Sequence, residues 1–92
     1  MKSLTEKIIK KLTNKRLTIS VAESCTGGLL SSALTSVNGS SKVFKFGVVV
    51  YSNKSKIKIL YISKKIIKKY GAVSEQVCLA MIKNVGRIFK TN

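Results

Sequence analysis

The sequence contains no histidine, proline or tryptophan, and it has only three acidic residues against 18 lysines and arginines. Without histidine, imidazole-bound metals and Ser-His or Cys-His catalytic pairs are excluded. The two cysteines, Cys25 and Cys78, stand far apart, so the sequence has neither a CxxC redox motif nor the ligand spacing of a zinc site. We expect both to be buried thiols of a cytoplasmic protein, and a disulfide between them is the alternative.

The net charge is strongly positive, at +15 with a sequence pI of about 10.2. Such an excess favours nucleic acid or small phosphate-containing ligands as partners. Only Arg16 and Arg87 are arginines, however, and arginine is the residue of bidentate base and phosphate recognition. The lysines are also spread along the whole chain, without a basic block interleaved with aromatic residues. We therefore expect no specific nucleic-acid partner, and attribute most of the lysine content to compositional bias.

A chain of 92 residues with 45% hydrophobic content allows one small domain with a modest core. Its first 15 residues alternate charged and apolar side chains, which is unlike the continuous apolar stretch of a signal peptide. No stretch approaches the length that spans a membrane. These features predict a cytoplasmic protein with no membrane partner.

The hydrophobic pattern predicts helices that alternate with two strands. Helices are expected at about residues 3–14 and 29–37, at a short segment that carries Ile57, Ile59 and Leu60, for a further turn or two through Ile66 and Ile67, and from Glu75 to about Ile88. Strands are expected at 17–22 and 43–51. Asn38 and Gly39 are expected to end the second helix as a C-cap. This order predicts an α/β fold in which helices cover a sheet. Two strands cannot bury the apolar faces of so many helices, so the predicted sheet is incomplete.

The turn after the first predicted strand, residues 23–28, is polar and contains two glycines. Backbone N–H groups at such a strand-to-helix turn can hold an anion, and the hydroxyls of Ser24 and Thr26 favour a ligand there. The alternative is a purely structural turn, because glycine also permits close packing and neither a P-loop nor a GxGxxG motif is present. Cys25 is not expected to be catalytic, since no histidine can activate it.

A second polar cluster follows the second predicted strand: residues 51–53 are Tyr-Ser-Asn, and Lys56 comes five residues after Tyr51. Ser40 and Ser41 precede the same strand. In a chain without histidine, lysine and tyrosine are the groups that can activate a serine, as in Ser-Lys hydrolases. The alternative is that any serine in so lysine-rich a chain has a lysine nearby, and that Tyr51 is an ordinary strand aromatic.

Four segments together resemble successive motifs of the CinA C-terminal domain family, the nicotinamide mononucleotide deamidases or PncC-type amidohydrolases. The segments are residues 22–28 (AESCTGG), 39–41 (GSS) with Val43 and Phe44, 51–53 (YSN) with Lys56, and 71–75 (GAVSE). They occur in the family's order and extend over about residues 5–90.

The resemblance implies a three-layer α/β/α domain that hydrolyses nicotinamide mononucleotide to nicotinate mononucleotide and ammonia, without a metal or organic cofactor, in pyridine nucleotide salvage. The catalytic residues that it implies are Ser24, Ser41, Tyr51 and Lys56. The substrate-binding residues that it implies are Thr26, Gly27, Gly28 and Asn53. Which serine attacks stays open: Ser24 is slightly favoured because a helix N-terminus stabilises an oxyanion, whereas Ser41 is nearer to Lys56 in sequence.

Family members continue past the last helix into a strand, a glycine- and proline-rich loop and another strand, none of which occurs in these residues. We therefore interpret residues 1–92 as a single domain corresponding to the N-terminal portion of the family domain, with an incomplete sheet. An inactive truncated remnant or an interaction module is the alternative to an active amidohydrolase. An exposed half-sheet also favours a homo-oligomer.

Overall fold

The computed structural model describes residues 2–92, so Met1, the first residue of the predicted domain, lies outside the described residues. The elements are α1 (Lys2–Lys15), β1 (Ile19–Glu23), α2 (Leu29–Thr35), a 3-10 turn (Ser40–Lys42), β2 (Phe44–Val49), α3 (Asn53–Leu60), α4 (Lys64–Tyr70) and α5 (Glu75–Phe89). Their order confirms the predicted α/β fold. No helix within residues 2–92 has the length and apolar character needed to cross a membrane.

The second helix ends earlier than expected. It stops at Thr35, so the predicted C-cap at Asn38 and Gly39 is wrong. The hydroxyls of Thr35 and Ser36 bond back to main-chain carbonyls of the preceding turn, which offers the backbone an alternative to further helix. Gly39 instead adopts a φ of 82° and leads into the 3-10 turn.

β1 and β2 pair in parallel, with Val21 opposite Gly47 and Glu23 opposite Val49. Parallel strands place their carboxyl ends at one edge of the sheet, where ligand sites of α/β proteins are found. The segments that follow the two strands, residues 24–28 and 50–56, therefore begin at the same edge.

Helices cover both faces of this short sheet. On one face, α1 and α2 pack over a core of Ile9, Val21, Leu34 and Val43. On the other face, α3, α4 and α5 enclose a core of Val50, Leu60, Ile62, Val77, Met81 and Val85. The arrangement is the three-layer α/β/α architecture that the resemblance implies.

Both cysteines are unpaired and exposed, so the expectation of buried thiols is wrong. Cys25 lies in the surface turn after β1, and Cys78 lies on the exposed side of α5. Because the apolar positions of α5 are filled by Val77, Met81 and Val85, the adjacent Cys78 turns toward solvent.

Gly47 in β2 lies in close contact with Ser31 of α2. A Cβ atom at this position would overlap Ser31 Oγ and would lie 2.9 Å from the ring of Phe44. Ser31 has little freedom to move away, because its hydroxyl and its amide both donate to the Glu23 carboxylate. The absence of a side chain at Gly47 thus sets the spacing of β2 and α2.

We predict that Gly47→Ala lowers the free energy of unfolding by about 1–3 kcal/mol, the usual effect of overpacking a close contact. Gly86→Ala is the matched control, because its Cβ would meet only the Thr91 carbonyl at 3.7 Å and alanine favours a helix. Urea unfolding followed by circular dichroism measures both. Equal stability of the two variants would show that the contact between Gly47 and Ser31 does not limit the spacing of β2 and α2.

Candidate active site

The candidate site lies at the carboxyl edge of the sheet. Ser24 follows β1 directly, and Tyr51 comes two residues after β2. Lys56 lies in the first turns of α3, the helix that follows β2. The parallel pairing therefore brings together groups that are separated by as many as 32 positions in the sequence.

Lys56 is only 2% exposed, which is unusual for a lysine. Its Nζ atom lies 3.2 Å from Ser24 Oγ, 2.9 Å from the Val50 carbonyl oxygen and 3.1 Å from the Tyr51 carbonyl oxygen. These three acceptors match the three N–H donors of an ammonium group, so burial leaves no donor unsatisfied.

The local sequence explains how Lys56 comes to point into the protein. Ser52 caps α3 by accepting a hydrogen bond from the amide of Ser55, so the helix begins immediately beyond the end of β2. One turn later, Lys56 faces back toward the strand, beside the fully buried Leu60 of the same helix. The cap and the apolar face of α3 thus orient the lysine.

Glu23, the last residue of β1, is a second buried charge and is 3% exposed. Its carboxylate accepts hydrogen bonds from the Thr26 hydroxyl at 2.8 Å, from the amides of Leu30 at 2.8 Å and Ser31 at 3.0 Å, and from the Ser31 hydroxyl. Burial alone would raise the pKa of Glu23, but the hydrogen bonds from Ser31, Leu30 and Thr26 outweigh it and lower the pKa from 4.5 to about 2. The residue is therefore a carboxylate at neutral pH.

The turn between Glu23 and α2 depends on two glycines. Gly27 and Gly28 have φ values of 59° and 104°, in the left-handed region that glycine adopts at little cost. The Gly27 amide donates to the Ser24 carbonyl at 3.1 Å and closes the turn. Together with the Thr26 hydrogen bond to Glu23, this conformation fixes the backbone at Ser24.

The anion expected at the N-terminus of α2 is supplied by the protein itself. The amides of Leu30 and Ser31, in the first turn of the helix, both donate to Glu23. Glu23 is one of only three acidic residues and ends a mainly apolar strand, yet no motif in the sequence points to its role. This single charge beside apolar residues was the signal that could have drawn attention to Glu23, because a buried carboxylate needs hydrogen-bond donors.

The structure brings Ser24, Tyr51 and Lys56 together, but Tyr51 contributes its carbonyl oxygen to Lys56 while its side chain is 74% exposed. Asn53 is exposed as the first residue of α3. Ser41 lies elsewhere: it is exposed in the 3-10 turn that precedes β2. The six residues of β2 separate that end of the sheet from the candidate site by about 20 Å.

Comparison with known proteins gives consistent matches. The family model described as the CinA C-terminal domain matches residues 1–92. A CinA-like protein of Prochlorococcus marinus (strain AS9601) is 57% identical over 82 residues, which are 89% of this chain and 19% of that protein. A putative competence-damage inducible protein of Alkaliphilus oremlandii is 50% identical over 90 residues, 98% of this chain and 22% of that protein.

Solved structures of CinA proteins also match this chain. Competence/damage inducible protein CihA of Agrobacterium tumefaciens has a TM-score of 0.96 and 38% identity, over 99% of this chain and 55% of that chain. A CinA superfamily protein of Escherichia coli has a TM-score of 0.96 and 33% identity, over 99% and 53% of the respective chains. The 92 residues thus span about a fifth of these curated relatives and about half of these solved chains.

We predict that Glu23→Gln destabilises the protein by about 1–3 kcal/mol at pH 7, because an amide cannot accept from all the donors that the carboxylate satisfies. The pKa of Glu23 is lowered in the folded state, so its contribution is present above about pH 4.5 and is lost as the pH falls toward 2. The difference between native protein and variant should shrink over that interval. Urea unfolding from pH 7 to pH 3 measures it.

The control for this prediction is Glu6→Gln, which removes the same charge from an exposed position of α1. A stability difference that is the same for both substitutions, or that does not change with pH for Glu23→Gln, would contradict the role assigned to the buried carboxylate.

Proposed function

Because the chain belongs to the CinA C-terminal domain family, we propose that it is an amidohydrolase that deamidates nicotinamide mononucleotide to nicotinate mononucleotide and ammonia, in cytoplasmic pyridine nucleotide salvage. The observation that carries the proposal is the buried Lys56 Nζ atom, 3.2 Å from Ser24 Oγ. A lysine held next to a serine hydroxyl can act as the base that activates this nucleophile.

The surroundings of Lys56 favour this role. A neutral amine has two hydrogens and one lone pair, and the carbonyl oxygens of Val50 and Tyr51 can only accept. Once the ammonium group has lost the proton that it directs to Ser24, its two remaining hydrogens stay with these carbonyls and its lone pair faces the hydroxyl of Ser24. The two main-chain acceptors therefore orient Lys56 as a base toward one serine.

The reaction then proceeds in two balanced stages. Ser24 Oγ attacks the carboxamide carbon while its proton moves to Lys56 Nζ, and the C–N bond breaks as Lys56 returns that proton to the departing ammonia. Water next attacks the ester on Ser24 and gives its proton to Lys56. Lys56 passes the proton back to Ser24 Oγ as the nicotinate mononucleotide leaves.

The turn after β1 offers donors for the oxyanion that forms in both stages. The amides of Cys25 and Thr26 follow the nucleophile directly and have no hydrogen-bond partner within residues 2–92. Such amides stabilise a developing negative charge when their position is fixed in advance. The exposed side chains of Tyr51 and Asn53, at the same edge, are proposed to contact the substrate along with Thr26, Gly27 and Gly28.

Ser24 is the attacking serine in this mechanism, because it lies within hydrogen-bond distance of Lys56. Ser41 takes part in no catalytic step within a single copy of the chain, because the length of β2 separates it from Lys56. The net charge of +15 is consistent with a substrate that carries a phosphate group.

An inactive remnant or an interaction module is the second candidate function. It is favoured by apolar side chains that the described residues leave uncovered on both sides of the sheet, among them Phe46, Val49, Leu79 and Ile82, which are 46–63% exposed. Exposed apolar area of this kind marks an interaction surface. This candidate predicts an intact fold without turnover.

We predict that the purified chain releases ammonia and nicotinate mononucleotide from nicotinamide mononucleotide, and that Ser24→Ala lowers kcat by about 10³-fold or more. Lys56→Met, which keeps the length of the side chain but removes the amine, should have a similar effect. Product release is measured by chromatography and by an enzyme-coupled ammonia assay.

Lys58→Met is the control, because Lys58 is an exposed lysine of the same helix. It should retain activity within about twofold, as expected for a surface substitution. Circular dichroism of each variant separates loss of chemistry from loss of fold. A folded chain without turnover would favour the remnant, and turnover that survives Ser24→Ala would remove Ser24 from the mechanism.

A further inference from the structure

The segment that contains α3 and α4 carries the densest positive charge of the chain. Lysines occur along the whole sequence, but seven of the 16 lie between residues 53 and 74, and none of the three acidic residues does. Apart from the buried Lys56, these seven lysines are exposed. A surface of this kind raises the local concentration of small anions, and it adjoins the candidate site.

A groove of about 520 Å³ lies between α3 and α4. Its walls include Asn53, Ile57, Lys64, Ile67, Lys68 and Ala72. The two isoleucines and the alanine are half-buried and form an apolar floor, whereas the lysines and the asparagine are exposed at the rim. Among the described residues, no carboxylate lines this groove. Its size and its combination of apolar and polar groups are typical of a small-molecule site.

Lys64 and Lys68 are placed to bind one anion together. They stand four residues apart on α4, which puts both side chains on the same face of the helix. Neither ammonium group forms an ion pair or a hydrogen bond with another residue of the range 2–92. Two like charges at this spacing repel each other, and an anion between them removes the repulsion. A phosphate group, with several acceptor oxygens and up to two negative charges, compensates both lysines.

A second groove, between α1 and residues 37–42, is less suited to an anion. Lys10 and Lys42 line it, but so does the carboxylate of Glu6. It also borders the 3-10 turn, at the end of β2 that is remote from the candidate site. The groove between α3 and α4 is therefore the better anion site, because it combines unpaired lysines with a position near the reacting serine.

Asn53 connects this groove to the candidate site. It is the first residue of α3 and comes one turn before Lys56, so the two residues lie about 4.5 Å apart along the helix axis. Lys56 faces Ser24, whereas Asn53 and Ile57 line the groove. A ligand can therefore extend from Ser24 across the beginning of α3 and into the groove.

We propose that the groove binds the ribose 5-phosphate part of the substrate, with the phosphate between Lys64 and Lys68 and the sugar against the apolar floor. The Asn53 side chain can donate to and accept from the sugar hydroxyls. The carboxamide and the phosphate stand at opposite ends of nicotinamide mononucleotide, so the phosphate must lie away from Ser24. This assignment to the substrate rests on the proposed function, whereas the binding of a sugar phosphate does not.

The binding test titrates the 92-residue chain with ribose 5-phosphate and with ribose, which lacks the phosphate. Amide chemical shifts in NMR spectra locate the binding. We expect ribose 5-phosphate to shift the signals of Asn53, Gly71 and Ala72, and ribose to bind at least about tenfold more weakly, because it cannot pair with the ammonium groups. Inorganic phosphate should also bind more weakly, because it leaves the apolar floor uncovered.

Two matched pairs of substitutions on α4 separate a local site from a diffuse positive charge. Lys64→Gln combined with Lys68→Gln should weaken ribose 5-phosphate binding at least about tenfold, because both charge-assisted contacts are lost. Lys65→Gln combined with Lys69→Gln removes the same amount of charge from the same helix, but neither residue lines the groove. This control should change binding by less than about threefold. All four lysines are exposed, and circular dichroism checks that both variants are folded.

The kinetic test compares nicotinamide mononucleotide with nicotinamide riboside, which has no phosphate. For the mononucleotide, the Lys64 and Lys68 pair of substitutions should raise KM at least about tenfold and change kcat by less than about twofold, as expected for a contact distant from the reacting bond. For the riboside, the same variant should behave like the native chain. The Lys65 and Lys69 pair should leave KM for both compounds within about threefold.

Three binding results would overturn the proposal: no binding of ribose 5-phosphate, equal weakening by the two pairs of substitutions, or inorganic phosphate that binds as tightly as the sugar phosphate. Turnover of the mononucleotide with a KM that the Lys64 and Lys68 substitutions do not raise would also overturn it, and would leave the amidohydrolase in place. Binding as expected without release of ammonia would retain the sugar-phosphate groove and contradict the proposed amidohydrolase.

Discussion

The buried carboxylate of Glu23 is the constraint on which the rest of the site depends. A charge removed from water must be compensated by hydrogen bonds, and Glu23 obtains them from the turn after β1, from the backbone of α2 and from the Ser31 side chain. Ser31 in turn lies against Gly47 of β2. One carboxylate therefore holds β1, α2 and the turn between them in register, and it does so next to Ser24.

Lys56 is a buried group of the opposite charge, and hydrogen bonds compensate its burial in the same way. Its ammonium group donates to the carbonyls of Val50 and Tyr51 at the end of β2 and to Ser24 at the end of β1. Together, Glu23 and Lys56 fix the serine from its backbone side and from its hydroxyl side. A buried charged group needs several well-placed hydrogen bonds to offset its desolvation, and here these hydrogen bonds also fix the position of a serine hydroxyl. This is the physical basis for regarding the pair of Ser24 and Lys56 as chemical machinery.

Much of the fold could be predicted because it follows from local pattern. The hydrophobic pattern identified α4 and α5, which Ser63 and Ser74 cap in the structure, and it identified both strands. Local pattern misplaced the end of α2, where the Thr35 and Ser36 hydroxyls compete for carbonyls, and it did not reveal that Cys78 faces solvent. The end of α2 and the exposure of Cys78 depend on side-chain contacts in the folded protein, which the local hydrophobic pattern does not specify.

The candidate site was less accessible to sequence reasoning, because it depends on which ends of the strands meet. Ser41 is closer to Lys56 in sequence than Ser24 is, yet parallel pairing puts Ser24 beside Lys56 and leaves Ser41 beyond the opposite end of β2. The isolated charge of Glu23 indicates that it needs partners but does not identify them, because its donors come from residues three to eight positions away that only the folded turn assembles.

The central claim is that Lys56 makes Ser24 a selectively reactive nucleophile. Its most direct test is to treat the chain with a fluorophosphonate, which labels activated serines, and to locate the adduct by peptide mass spectrometry. The account predicts that Ser24 is labelled in preference to exposed serines such as Ser52, and that Lys56→Met abolishes this labelling while Lys58→Met preserves it. Labelling spread evenly over exposed serines, or labelling of Ser24 that persists without the Lys56 amine in a folded variant, would contradict it.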